Sequence, residues 1–159
     1  MAVGFTPCLW CARDAEEAAR FYVSVIPNSS LSSVTHLPVD SPSGPADSVA
    51  VVEFTLAGAP VMAFTGGPHH AFNDAISLTL LCDTQAEIDA LWDGLLQGGG
   101  KPLACGWLKD RYGVSWQITP RRMGVMMQDA VRKKAARAAT AMMGMVKFNL
   151  AALEKAFRG

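Results

Sequence analysis

Apolar positions along this chain switch between alternate spacing and helical spacing, and the switches come in a repeated order. Residues 4–11 (GFTPCLWC) read as a strand. Asp14 then suits a helix N-cap, with Glu16 and Glu17 in the first turn. Ala18, Phe21, Tyr22, Val25 and Ile26 recur at helical spacing, and Pro27-Asn28 ends that helix. Residues 29–37 read as a strand and 39–48, rich in Pro, Gly and Ser, as a loop. SVAVVEFTLAG (48–58) and PVMAFTGG (60–67) form a hairpin about an Ala57-Gly58 turn, followed by a second loop over 66–74.

The order then repeats. AISLTLLC (75–82) reads as a strand, and Thr84 caps a helix carrying Ile88, Leu91, Trp92, Leu95 and Leu96 that stops at Gly98-Gly99-Gly100. PLACGWLKD and VSWQITP read as two more strands joined by the turn Asp110–Gly113. A shift of 70 residues superposes the two helical sets and lays Pro7 over Ser77, so one offset serves strand and helix. From about 123 the chain turns rich in Ala and Met. A helix is expected over roughly 125–143, and a short one from Leu150 to Phe157 behind Asn149.

Within the strands, one face is apolar and the other mixed. Val52, Phe54 and Leu56 oppose Val51, Glu53 and Thr55; Ile76, Leu78, Leu80 and Cys82 oppose Ser77, Thr79 and Leu81; Val114, Trp116 and Ile118 oppose Ser115, Gln117 and Thr119. The apolar faces suit packing under the helices. The mixed faces hold small hydroxyls and amides rather than the Lys and Glu of a solvated sheet, which favours a ligand cavity. Trp10, Trp92 and Trp116 read as core packing, and Trp107 as a residue of a cavity mouth or dimer seam.

Composition adds limits. Of 159 residues, half are apolar, and 14 basic residues balance 14 acidic ones. Such a chain builds a core and has no field that would draw it to nucleic acid or an anionic membrane. The basic stretch Arg132, Lys133, Lys134, Arg137 lacks interleaved aromatics and reads as a solvated helix face. No apolar run nears the roughly 20 residues of a membrane-spanning helix, and the start MAVGFTPCLWCARDAEE does not read as an export signal. Cys8 and Cys11 form a CxxC inside a strand pattern, with no second pair to complete a zinc site. Plain thiols in a cytoplasmic protein are expected for these and for Cys82 and Cys105.

FTPCLWCARDAEEAARFYVSVIPNS, VEFTLAGAPVMAFTGGP, FNDAISLTLLCDTQAEIDALW and CGWLKDRYGVSWQITP resemble, in order, the motifs of PhnB-like proteins. That family is also called the 3-demethylubiquinone-9 3-methyltransferase family, within the vicinal oxygen chelate (glyoxalase/bleomycin resistance/dioxygenase) superfamily. The resemblance covers about 4–120, and FNLAALEKAF looks like the family's ending. It implies an α+β fold of two βαβββ modules, about 3–67 and 73–120 within a domain of 1–122. The modules would curl into a cup completed as a homodimer, with a helical tail over 123–159.

The resemblance also places four metal-ligand positions of the superfamily, at Pro7, Glu53, Ser77 and Gln117. Only Glu53 is a good divalent-metal ligand and Pro7 offers no side-chain donor, so a metal-free cup is expected. His36 and the His69-His70 pair do not complete the set. The family name suggests S-adenosylmethionine, yet GxGxxG is absent and the glycine run ends a helix rather than opening one. The leading expectation is a cup for a small apolar or aromatic metabolite, lined by Leu9, Glu53, Thr55, Phe64, Ser77, Thr79, Trp107, Ser115 and Gln117. Glu53, desolvated in such a cup, would be the candidate acid/base group. Stoichiometric sequestration of a drug-like ligand and a purely structural dimer stay open beside it.

Overall fold

The computed structural model describes residues 3–159. The chain divides into two compact units, the first closing at Phe72 and the second running from Asn73 to Gly159.

The first unit contains β1 (Cys8–Cys11), α1 (Ala15–Val25), β2 (Ser30–His36), β3 (Ala50–Leu56) and β4 (Ala59–Thr65). Its sheet runs β1-β4-β3-β2, with β1 parallel to β4 and the other pairs antiparallel. Asp14 caps α1 as expected, its carboxylate accepting the Glu17 N–H at 2.9 Å. The helix lays Ala15, Ala18, Ala19, Phe21 and Tyr22 on the sheet, against Leu9, Val52, Phe54, Leu56, Val61 and Ala63. Ala57 and Gly58 both take positive φ, the geometry of a tight hairpin whose twist matches its strands.

The second unit repeats the order: β5 (Leu78–Cys82), α2 (Gln85–Leu96), β6 (Lys101–Pro102), β7 (Trp107–Lys109) and β8 (Ser115–Pro120). Its sheet runs β5-β8-β7-β6, again with the first and last strands of the unit parallel. Thr84 and Glu87 form a reciprocal capping box on α2. The fold is thus α+β, two βαβββ arrangements followed by helices α3 (Arg121–Met127), α4 (Arg132–Met143) and α5 (Leu150–Arg158).

Several expected elements take a different form. The strand expected over 4–11 is paired only from Cys8. PLACGWLKD is not one strand: Cys105 and Gly106 take positive φ and break it into β6 and β7. Their N–H groups turn to the carbonyls of Met145 and Val146, and a methyl on Gly106 would lie 2.2 Å from the Phe148 ring. The helix expected over 125–143 breaks at 128–131, where the Asp129 side chain accepts the Val131 N–H in a local turn. The basic stretch is used within the tail. Arg137 donates to the carbonyls of Ala156 and Phe157 at the end of α5, and Lys134 stands over the Phe157 ring.

The repeat itself is more exact in the helices than in the strands. The caps Asp14 and Thr84 stand 70 positions apart. In the strands, however, the helix-facing residues are Leu9 and Cys11 in β1 but Leu80 and Cys82 in β5, an offset of 71. Residues 12–14 link β1 to α1, whereas 83–84 alone link β5 to α2. One residue's difference in a connection reverses which strand positions face the helix. The counterpart of Ser77 is therefore Thr6, not Pro7.

Candidate functional site

Each sheet covers one face with its helix and leaves the other open. In the first unit, register places Cys8, Met62, Glu53 and Ser33 in one row across the open face. Trp10, Phe64, Val51 and Thr35 form the next row. Glu53 accepts the Ser33 hydroxyl at 2.9 Å and is exposed. The desolvated carboxylate expected here is thus a solvated one steadied by a hydroxyl, because β3 turns it away from α1. Thr55 shares the face, half-buried, with its hydroxyl 3.1 Å from that of Ser30.

Two assignments on β1 exchange places. Leu9, expected as cavity wall, is buried under α1, and Trp10, expected in the core, lies half-buried on the open face. The reason is strict alternation along β1: Leu9 pairs with the buried Ala63 and Trp10 with Phe64. The Trp10 indole N–H donates to the Gly67 carbonyl at 2.8 Å. Phe64 and His70 each stand nearly perpendicular to the indole, with centroids at 4.7 Å. Partial desolvation by its neighbours raises the nearby Cys8 thiol above its ordinary range, although the residue stays exposed.

In the second unit the open face gathers most of the expected residues. Thr79, Gln117 and Trp107 are direct neighbours across β5, β8 and β7. Gln117 donates from Nε2 to the Ser77 hydroxyl at 2.8 Å. Ser115 is buried and donates to Asp74 Oδ1 at 2.7 Å, and Lys109 Nζ meets the same oxygen at 2.8 Å. The Lys109 ammonium, and then the Ser115 hydroxyl, hold the Asp74 carboxyl below its usual range. Asp74 and Lys109 escaped the sequence reading. Lys109 shares its face with Trp107 by alternation, so periodicity could have found it. Asp74 lies in a loop, where no periodicity exists to reveal it.

The DRYG turn before β8 is held from inside. Asp110 is buried, and its carboxylate accepts the N–H groups of Tyr112, at 2.8 Å, and Val114, at 3.0 Å. This turn fixes the phase with which β8 enters the sheet, and so which side Ser115 and Gln117 face.

The residues do not fit a superfamily metal. Among the described residues no three His, Cys, Asp or Glu side chains stand together as a metal cage requires. Register also separates the expected positions. Gln117 lies on the strand paired with β5, and its counterpart in the first unit is Met62, whereas Glu53 corresponds to Trp107. The helices α1 and α2 do not open on a glycine-rich turn. Their first turns are closed by side-chain caps instead: Asp14 accepts the Glu17 N–H and Thr84 the Glu87 N–H.

Among the described residues no helix is long and apolar enough to cross a membrane. No curated protein matches the chain in sequence. Solved structures do. A PhnB protein from Bacillus cereus, described provisionally as a 3-demethylubiquinone-9 3-methyltransferase, is 32% identical with a TM-score of 0.64, over 73% of this chain and 98% of its own. Protein PA1353 from Pseudomonas aeruginosa is 20% identical with a TM-score of 0.57, over 75% of this chain and 98% of its own, and supports the fold alone. A glyoxylase/bleomycin resistance protein/dioxygenase domain from Frankia sp. EAN1pec is 13% identical with a TM-score of 0.48, over 73% of this chain and 94% of its own. The family model for 3-demethylubiquinone-9 3-methyltransferase matches residues 3–119, from before β1 almost to the end of β8. With both βαβββ units inside that match, the chain belongs to the 3-demethylubiquinone-9 3-methyltransferase family.

Proposed function

We propose that this protein binds a small apolar or aromatic metabolite on the open faces of its half-sheets, without a resident metal. The observation that carries the reading is the polar cluster of the second unit. Gln117 bonds Ser77, and Asp74 holds Ser115 and Lys109, two polar groups beside the half-buried Trp107. An apolar wall with a few fixed polar groups is what orients a small ligand. Thr79 next to Gln117, and Glu53, Thr55 and Phe64 on the first open face, complete the residues offered to ligand.

Glu53 is the group for acid/base chemistry in this reading, since Ser33 orients its carboxylate on an open face. Binding without turnover is the rival, and product analysis separates them: a stable complex with no product favours sequestration. Four free cysteines suit a reducing cytoplasm, and a homodimer suits the unpaired sheet edges. Thermal-shift screening of a metabolite library, followed by titration calorimetry, tests the proposal. A ligand whose affinity drops in Gln117→Ala or Glu53→Ala supports it. Affinity unchanged in both variants overturns the site, and absence of any ligand overturns the binding role.

A further inference from the structure

The two open faces differ in charge. Strands β1 to β4 contain no Lys or Arg and one carboxylate, Glu53, which among the described residues has no ion-pair partner. The second unit places Lys109 and Lys101 in register with one another on its sheet. The first face also carries a close-packed aromatic group. Trp10 sits between Phe64 and His70, both at 4.7 Å and nearly perpendicular to it. The indole is held in place twice, by its bond to the Gly67 carbonyl and by Gly66, where an added methyl would lie 2.2 Å from the ring. Met62 connects the two features: it is the register partner of Glu53 and lies two positions from Phe64 on the same face.

Resting on the small-molecule reading above, we propose that the open face of the first half-sheet takes an organic cation with an apolar or aromatic body. An ammonium or cationic heterocycle lies over the Trp10–Phe64 rings, whose faces are negative, and pairs with the Glu53 carboxylate one row away. The thioether of Met62 is a soft, polarisable floor between them. An anion is repelled here by the Glu53 carboxylate and by the ring faces, and no Lys or Arg of strands β1 to β4 offsets that. Because Trp10 is already fixed, little ordering opposes the binding of a flat body.

Benzyltrimethylammonium, benzyl alcohol and phenylacetate share one ring and differ in charge. Their binding to the intact protein is measured by calorimetry and tryptophan fluorescence. The cation is expected to bind about tenfold more tightly than the alcohol, with phenylacetate weakest. Glu53→Gln, at an exposed position, should bring cation and alcohol together, and Phe64→Leu should weaken the cation about threefold or more. Equal binding of the three probes, a preference for phenylacetate, or an undiminished cation preference in folded Glu53→Gln overturns the proposal. If the library yields a Gln117-dependent ligand while the cation shows no preference, this inference falls and the binding role stands.

Discussion

The Trp116 indole N–H donates to Asp110 Oδ2 at 2.8 Å, inside the turn that leads into β8. Trp116 and Asp110 are both buried, so this bond ties the largest side chain of the strand to the carboxylate that shapes the turn. Asp110 thereby satisfies donors from Tyr112, Val114 and Trp116 at once. Asp110→Ala leaves those N–H groups without this acceptor and should lower unfolding free energy by about 2–4 kcal/mol. Asp110→Asn keeps an oxygen for the backbone only by turning its NH2 toward Trp116, and should cost about half as much. Urea titration with Asp110→Asn near the wild-type midpoint would show that the carboxylate is not needed.

The two helix caps should behave alike. Asp14→Ala and Thr84→Ala each remove an oxygen that accepts an N–H three residues on. Each should cost about 1 kcal/mol, since Thr84→Ala keeps the backbone N–H that Glu87 accepts and loses only the hydroxyl half of the box. Denaturant midpoints check this, and a loss under a few tenths of a kcal/mol in both variants would count against it.

Asp74 makes an acid-side prediction. Its carboxyl is held below the ordinary aspartate range by Lys109 and then Ser115. A depressed pKa in the folded state means that the unfolded chain binds the proton more readily. Its stabilisation is therefore present above about pH 4 and lost as pH falls through the folded value. Thermal melts of wild type and Asp74→Asn should differ at neutral pH and converge in acid. A gap that widens on acidification would show that the sign is wrong.

Cys82 gives the matching prediction on the alkaline side. Burial, then the nearby Glu87 and Asp83, push its thiol up to about 11 from 9.0. Stability from keeping it protonated is full below 9.0 and fades as pH rises toward about 11. Iodoacetamide at a pH of about 8.5 should label exposed Cys8 well before Cys82, since the thiolate share at Cys82 stays under about 1%. Peptide mass mapping reads the order, and early labelling of Cys82 would contradict its burial.

Much of this fold was legible from spacing. The caps Asp14, Thr84 and Asn149, the Ala57-Gly58 turn and the apolar sides of β3, β5 and β8 follow from local rules, and each stands where those rules put it. The candidate site was legible only in part. Gln117, Ser77, Thr79 and Trp107 come together because alternation along a strand is local. Leu9 and Trp10 were interchanged because the phase of β1 depends on how many residues precede the helix cap, and a uniform repeat hides that one-residue difference. Cys105 needed a partner that lies 40 residues ahead, the Met145 carbonyl, before its break in the strand made sense.

By itself the sequence determined the order of elements, their caps and the apolar side of most strands, since these depend on residues within a few positions of one another. Only tertiary structure decided that Asp74 and Lys109 join Ser115, that Trp10 lies against Phe64 and His70, and that Glu53 is solvated. Those relationships depend on register between strands and on where loops return to the sheet. Register is set by packing across the whole unit, which no short stretch of residues encodes.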